Sequence, residues 1–134
     1  MKRKIFVNLP VKDLEKSKSF FSGLGFEINP KFTNDDGACI VISDTIYTML
    51  LTEEFFKGFT SKKIADAHSA TEAINAVSFE NREDVDIMAE KAVQLGGTEN
   101  GSAKDYGFMY SRSFHDLDGH IWEILWIDEE KADQ

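Results

Sequence analysis

The chain has 134 residues, with 15 basic and 24 acidic side chains, a net charge of -9 and one cysteine. That length suits one ordinary domain burying about two thirds of its unfolded surface. The negative charge repels phosphate backbones and anionic membrane surfaces, which argues against nucleic acid and membranes as partners. Cys39 alone allows neither an internal disulfide nor zinc-finger spacing, and it fits a reducing compartment.

In chain order, Ile5 to Leu9 reads as a strand ended by Pro10. Asp13 reads as the N-cap of a helix from Leu14 to Leu24, with Leu14, Ser17, Phe21 and Leu24 on one face beside Phe20, and Gly25 as its stop. Strands are expected over Phe26 to Phe32, Ala38 to Ile42 and Thr45 to Leu51, separated by turn formers at Asn34 to Gly37 and Ser43-Asp44. Residues 53 to 72 break the pattern and read as a connector, partly helical around Phe55, Phe56 and Phe59 and again over Lys62 to Ala67. The unit then restarts. Ala73 to Phe79 is a strand, Asn81 a cap, and Val85, Met88, Ala89, Ala92 and Leu95 mark a helix face closed by Gly96-Gly97. Thr98 to Asn100, Phe108 to Phe114 and His120 to Ile127 supply the last strands.

Phe6 precedes Asp13 by the same seven residues that separate Ile74 from Asn81, so the economical reading is one module used twice. The expected fold class is α+β, with two βαβββ modules forming a curved mixed sheet around a cleft. Module one covers about 1–52, the connector about 53–72 and module two about 73–134, all within one domain. No apolar run reaches membrane-spanning length, and Ile5 to Leu9 is too short for a signal peptide's apolar stretch. A soluble, cytoplasmic protein is expected.

Three motifs occur in order along this framework: Val11-Lys12-Asp13-Leu14-Glu15-Lys16-Ser17, Phe20-Phe21-Ser22-Gly23-Leu24-Gly25-Phe26 and Asp118-Gly119-His120-Ile121-Trp122-Glu123. Together they resemble the glyoxalase, bleomycin-resistance and extradiol-dioxygenase superfamily, also called vicinal oxygen chelate proteins. The resemblance implies paired modules around a pocket and, in relatives, a homodimer. Its enzymes typically hold one divalent metal with ligands from the first and last strand of each module. Carried over by spacing, those positions are Phe6, Thr48, Ile74 and Glu123. Only Glu123 is a strong ligand, and one carboxylate does not offset the dehydration of a divalent ion. The usual metal is therefore expected to be absent, with no other cofactor.

Glu123, an acid on an otherwise apolar strand, is the foremost candidate, as a general base or a ligand contact; its plain alternative is a carboxylate satisfied within the fold. Asn8 shares a strand face with Phe6 and suits orienting a ligand, or else bonding an adjacent strand end. Thr48 is a weaker candidate of the same kind. Tyr110 and Arg112 offer a stacking surface and a forked donor if their face lines the cleft, and solvent-exposed groups if it does not; Phe6 and Trp122 complete the aromatic candidates. His115, Asp116, Asp118 and His120 invite a metal or acid–base reading, but Asp-Leu-Asp-Gly is turn chemistry and that reading is preferred. His68 falls in the polar connector and Cys39 in an apolar run without a catalytic partner nearby. Phe55, Phe56 and Phe59 fit a lid, a cover for the sheet end or a dimer contact.

Three functions follow as expectations. The first is a metal-independent small-molecule binder using Glu123, Asn8 and aromatic side chains. The second is a lyase, isomerase or dioxygenase with Glu123 as base, or as sole retained ligand of a weak or substrate-delivered metal. The third is an interaction subunit acting through its acidic surface.

Overall fold

The structure is a computed structural model and describes residues 1–132. The chain divides into two compact units, Met1–Ala65 and a second beginning at Asp66. The first contains β1 (Ile5–Val11), α1 (Leu14–Gly23), β2 (Glu27–Asn29), β3 (Gly37–Val41), β4 (Ile46–Thr52) and a short α2 (Glu53–Phe56). The second contains β5 (Ile74–Ser78), α3 (Arg82–Gln94), β6 (Thr98–Glu99), β7 (Lys104–Asp105), β8 (Met109–His115), β9 (Ile121–Ile127) and a short α4 (Glu129–Ala132).

Each unit carries its own open mixed sheet. In the first the order is β1-β4-β3-β2, with β1 parallel to β4 and the other pairs antiparallel. In the second the order is β5-β9-β8-β6, with β7 also paired to β8 and β5 parallel to β9. This is the α+β architecture expected from the repeat. Pro10 does not end β1, which continues to Val11. At the end of the strand order a missing N–H removes no bond from a central ladder.

The helices are cut by the same devices in both units. The Asp13 side chain accepts from the Lys16 amide at 3.1 Å, and the Asn81 side chain from the Asp84 amide at 3.0 Å. At the other end Gly25 N–H donates to Ser22 O and Phe26 N–H to Phe21 O, while Gly96 N–H donates to Val93 O and Gly97 N–H to Ala92 O. This paired pattern requires a left-handed residue at the first glycine, and Gly25 and Gly96 have φ of 103° and 108°. Both chains therefore turn back onto their sheets directly after the helix.

One face of each sheet is covered by its helix. In the first unit Leu9, Val11, Ile40 and Leu50 meet Leu14, Phe20, Phe21 and Leu24, and all are buried. In the second, Phe114, Trp122 and Ile124 meet Val85, Met88, Ala89 and Ala92, also buried. Each large apolar side chain so covered contributes about 1.5–3 kcal/mol relative to exposure. Leu95, expected on the same helix face, lies at the C-cap and is 40% exposed.

Other departures follow local hydrogen bonding. Pro30–Phe32 forms a 3-10 turn rather than strand, because Pro30 suits a helical start and the Asn29 side chain caps Lys31. Lys62 to Ala67 is not helical. There the Thr60 hydroxyl accepts from the Lys62 amide and the Asp66 carboxylate from the His68 amide, offering the backbone turns in place of a helix.

Candidate ligand-binding site

Strand register decides which side chains share a face, since cross-strand partners point the same way. In the second unit Ile74 pairs with Ile121, Ala76 with Glu123 and Ser78 with Leu125. Glu123 in turn faces Ser113, Leu125 faces Ser111, and Lys104 on β7 faces Ser111. Glu123, Ser113, Ser111 and Lys104 therefore occupy the sheet face turned away from α3, whereas the alternate residues Trp122, Ile124 and Phe114 lie against the helix.

A cavity of about 110 Å³ opens on this face, with Glu123, Ser111, Ser113, Asn100 and Lys104 among its lining and Ile74 and Ile121 as its apolar part. Its floor is ordered by a relay: Asn100 Nδ2 donates to Ser113 Oγ at 3.1 Å, and Ser113 Oγ donates to the Trp122 carbonyl at 3.2 Å. Ser111 is 3% exposed and its hydroxyl has no protein hydrogen-bond partner among the described residues. Glu123 is partly buried, and its carboxylate likewise has no hydrogen bond or ion pair among them. The Ser111 hydroxyl and the Glu123 carboxylate line the cavity without partners of their own among the described residues, so this face presents hydrogen-bonding capacity that the fold itself leaves unused.

Tyr110 and Arg112 lie on the opposite, helix-facing side. Tyr110 Oη donates to Asp86 Oδ1 at 2.6 Å, and Arg112 donates from Nη1 to the same oxygen at 3.1 Å and from Nη2 to Glu99 Oε1 at 2.8 Å. The Tyr110 hydrogen bond is the largest cause holding the Asp86 carboxyl below its ordinary value, and Arg112 acts in the same direction. Arg82 adds to this side by stacking over Tyr110 at 4.5 Å and pairing with Asp105. These donors fasten β7 and β8 to α3; Arg112, whose guanidinium is engaged there, also contributes to the lining of the Glu123 cavity, whereas Tyr110 does not.

Trp122 is a core residue, 2% exposed, whose indole Nε1 donates to Asp116 Oδ2 at 3.0 Å. Asp116 Oδ1 accepts from the backbone amides of Asp118 and His120, each at 3.0 Å. Asp116 is thus the anchor of the turn between β8 and β9. Burial pushes its carboxyl above the ordinary value, opposed by His120, the indole and the two amides. Gly119 has φ of 86°, and a Cβ there would stand 2.8 Å from the Ala67 and His68 backbone, so the connector crosses tightly over this turn. His120, 2% exposed, places Nδ1 2.7 Å from Glu72 Oε1 and ties the end of that connector to the turn. His115 Nδ1 lies 3.1 Å from Thr98 Oγ1, and His68 is exposed.

In the first unit Phe6 and Asn8 share the face away from α1, paired with Tyr47 and Met49. Phe6 stacks on Tyr47 with centroids 4.9 Å apart, and Asn8 Nδ2 reaches the Phe6 carbonyl at 3.5 Å. Thr48 pairs with Val7 and is buried on the helix side. Phe6 pairs with Tyr47 as Ile74 pairs with Ile121, so the residue equivalent to Glu123 is Met49 and not Thr48. A one-residue slip in matching the last strands reverses the face, which is how spacing alone selected Thr48. Cys39 is fully buried and burial pushes its thiol pKa up, against nucleophilic character. Phe55 and Phe59 are exposed and meet edge to face at 5.3 Å, with Phe56 less exposed between them.

The donor set does not suit the divalent metal that the family resemblance implies. With Met49 replacing Thr48, the corresponding positions are Phe6, Met49, Ile74 and Glu123, and among the described residues no three His, Cys, Asp or Glu side chains are grouped to hold an ion. Around Glu123 stand hydroxyls, an amide and the Lys104 ammonium. Neutral oxygens and a like-charged ammonium poorly offset a dication's lost water.

Comparison with known proteins agrees with this architecture. The Bleomycin resistance protein-like N-terminal family model matches residues 3–43. A hypothetical protein from S. aureus is 27% identical, with a TM-score of 0.79 over 94% of this chain and 95% of that one. A glyoxalase/bleomycin resistance protein/dioxygenase family enzyme from Burkholderia phytofirmans is 13% identical, with a TM-score of 0.75 over 91% of this chain and 96% of its own. A fosfomycin resistance protein from Mesorhizobium loti is 17% identical, with a TM-score of 0.71 over 100% and 99%. No curated protein matches the sequence at a significant level. In its N-terminal segment the chain is similar to bleomycin resistance-like proteins, and over nearly its whole length it has the fold of glyoxalase/bleomycin resistance/dioxygenase family structures.

Proposed function

We propose that this protein is a metal-independent small-molecule binder that holds a compact polar ligand against the open face of its second sheet, with Glu123 as principal contact. The observation that carries the reading is the unused carboxylate of Glu123, the one acid borne by the sheet strands on that face among the described residues. A carboxylate that the fold does not use, standing beside serine hydroxyls and a lysine in a cavity, offers a ligand a directed polar contact. The bleomycin- and fosfomycin-resistance names among the similar proteins support a binding or resistance role of this general kind. The same carboxylate supports a second reading, an enzyme with Glu123 as general base.

Thermal shift across a metabolite panel and a series of divalent ions separates the two. A ligand present at a hundred times its Kd stabilises the folded state by about 2.7 kcal/mol. Glu123→Gln is expected to leave the unliganded melting point nearly unchanged and to weaken the stabilising ligand at least tenfold. Unchanged affinity removes Glu123 from the site. Strong stabilisation by one divalent ion, lost in Glu123→Gln, moves the assignment to a metalloenzyme.

A further inference from the structure

The pocket carries opposite charges on opposite sides, and this restricts what it can hold. Lys104 enters from β7 in the row of Ser111 and Leu125, while Glu123 stands on β9 in the row of Ser113. Strand β8 lies between them. Two strand spacings separate the backbones across the sheet by about 10 Å, and a two-residue offset separates them along it by about 7 Å. Neither charge has an ion-pair partner among the described residues, and no ion pair joins them to each other. The floor between is made by the hydroxyls of Ser111 and Ser113, the first unpartnered and the second already engaged with Asn100 and the Trp122 carbonyl.

A purely anionic ligand placed here faces the Glu123 carboxylate within a chain of net charge -9. A purely cationic ligand leaves Lys104 unmatched beside it. A molecule with both charges meets an opposite charge at each end and a hydroxyl donor in between. We propose, building on the assignment of the pocket to Glu123, that the ligand is a compact zwitterion: its anionic group lies against Lys104 and the Ser111 hydroxyl, and its ammonium pairs with Glu123. Lys104 is then a specificity-determining residue, selecting amine-bearing acids over simple amines.

The test uses the ω-amino acids from glycine to 6-aminohexanoate, each beside the carboxylate and the amine of equal length, titrated into the full chain by calorimetry and amide NMR. At one chain length the amino acid is expected to bind at least tenfold tighter than either single-charge analogue, shifting the amides of Ser111 and Glu123. Lys104→Met is expected to lower the amino acid to the affinity of the amine without changing the amine, and Glu123→Gln to lower it to that of the carboxylate. Lys104 is exposed, so its replacement is expected to preserve the melting point. If an amine binds in a Glu123-dependent way as tightly as its amino acid, or if Lys104→Met changes nothing, the zwitterion assignment fails while the pocket stands. If no length shows a preference for the doubly charged probe, the assignment fails as well; the pocket itself is then judged by the Glu123→Gln comparison on the metabolite panel.

Discussion

The two sheets share a backbone plan and differ in what they carry on the face away from the helix. In the first, Phe6 stacks on Tyr47, and Met49 occupies the position that Glu123 holds in the second. In the second, that face bears Glu123, Ser111, Ser113 and Lys104 around a cavity. The helix-facing side of each sheet carries a buried apolar core, with Thr48 and the half-buried Tyr110 and Arg112 as polar exceptions, and each helix stops on a left-handed glycine. The two units are alike on the side of each sheet that makes the core and differ on the other side. Packing restricts residues that fill a dense interior, whereas a face without a helix leaves side-chain chemistry free to change.

The largest expected effect tests whether the two cores are equivalent. Phe21→Ala in the first unit and Trp122→Ala in the second are each expected to cost about 3–5 kcal/mol in denaturant unfolding, because both large side chains are fully enclosed. A much smaller loss in one unit would show that its helix is not packed as described.

Next come the glycines. Gly25→Ala meets no neighbour and is expected to cost about 1–2 kcal/mol, the strain of a left-handed alanine. Gly119→Ala adds to that strain a collision with the Ala67 and His68 backbone, and is expected to cost more than Gly25→Ala and to speed hydrogen exchange over residues 66–72. Equal effects would mean that the connector does not rest on the turn.

Asp116 has no counterpart of this kind in the first unit's turn between β3 and β4, where Ser43 and Thr45 bond locally. Its folded pKa is raised above the ordinary 3.8, so the folded state takes up a proton more readily than the unfolded chain. The resulting stability is fully present below 3.8 and is lost as pH rises through the folded value. Asp116→Asn is expected to flatten this part of the stability–pH profile. At neutral pH it should cost about 1–3 kcal/mol, because an amide cannot accept from both Trp122 Nε1 and the two backbone amides. An unaltered profile between the two forms would contradict the assigned role.

The smallest effect concerns Arg112. Its partners Asp86, Glu90 and Glu99 are substantially exposed, so Arg112→Met is expected to cost about 1 kcal/mol, less at high salt. Binding of any ligand that depends on Glu123 is expected to change less than twofold. A large loss of affinity would return Arg112 to the site.

Arg112 also illustrates why only part of the site was legible in the sequence. Tyr110 and Arg112 alternate with aromatics on β8, and nothing within that strand says which alternate set faces the helix. The answer came from Asp86 and Glu90, 22 to 26 residues earlier on α3, and from Glu99 across the sheet. Lys104 was missed because β7 is two residues long and gives no periodic signal. Its place is visible only through its pairing with Ser111. Spacing points to Thr48 where the register gives Met49, because in a strand one residue is the whole difference between faces. Glu123, by contrast, stood out as an acid between Trp122 and Ile124.

By itself the sequence determined the repeated βαβββ order, the caps at Asp13 and Asn81, the stops at Gly25 and Gly96, the buried helix faces and the turn chemistry around Asp116. All of these depend on interactions spanning a few residues, which a local pattern records directly. Tertiary structure alone decided the register of β1 on β4 and of β5 on β9, the helix-facing side of Tyr110 and Arg112, and the grouping of Glu123 with Ser111 and Lys104. Those outcomes rest on pairing between distant segments, where a shift of one residue reverses every side chain.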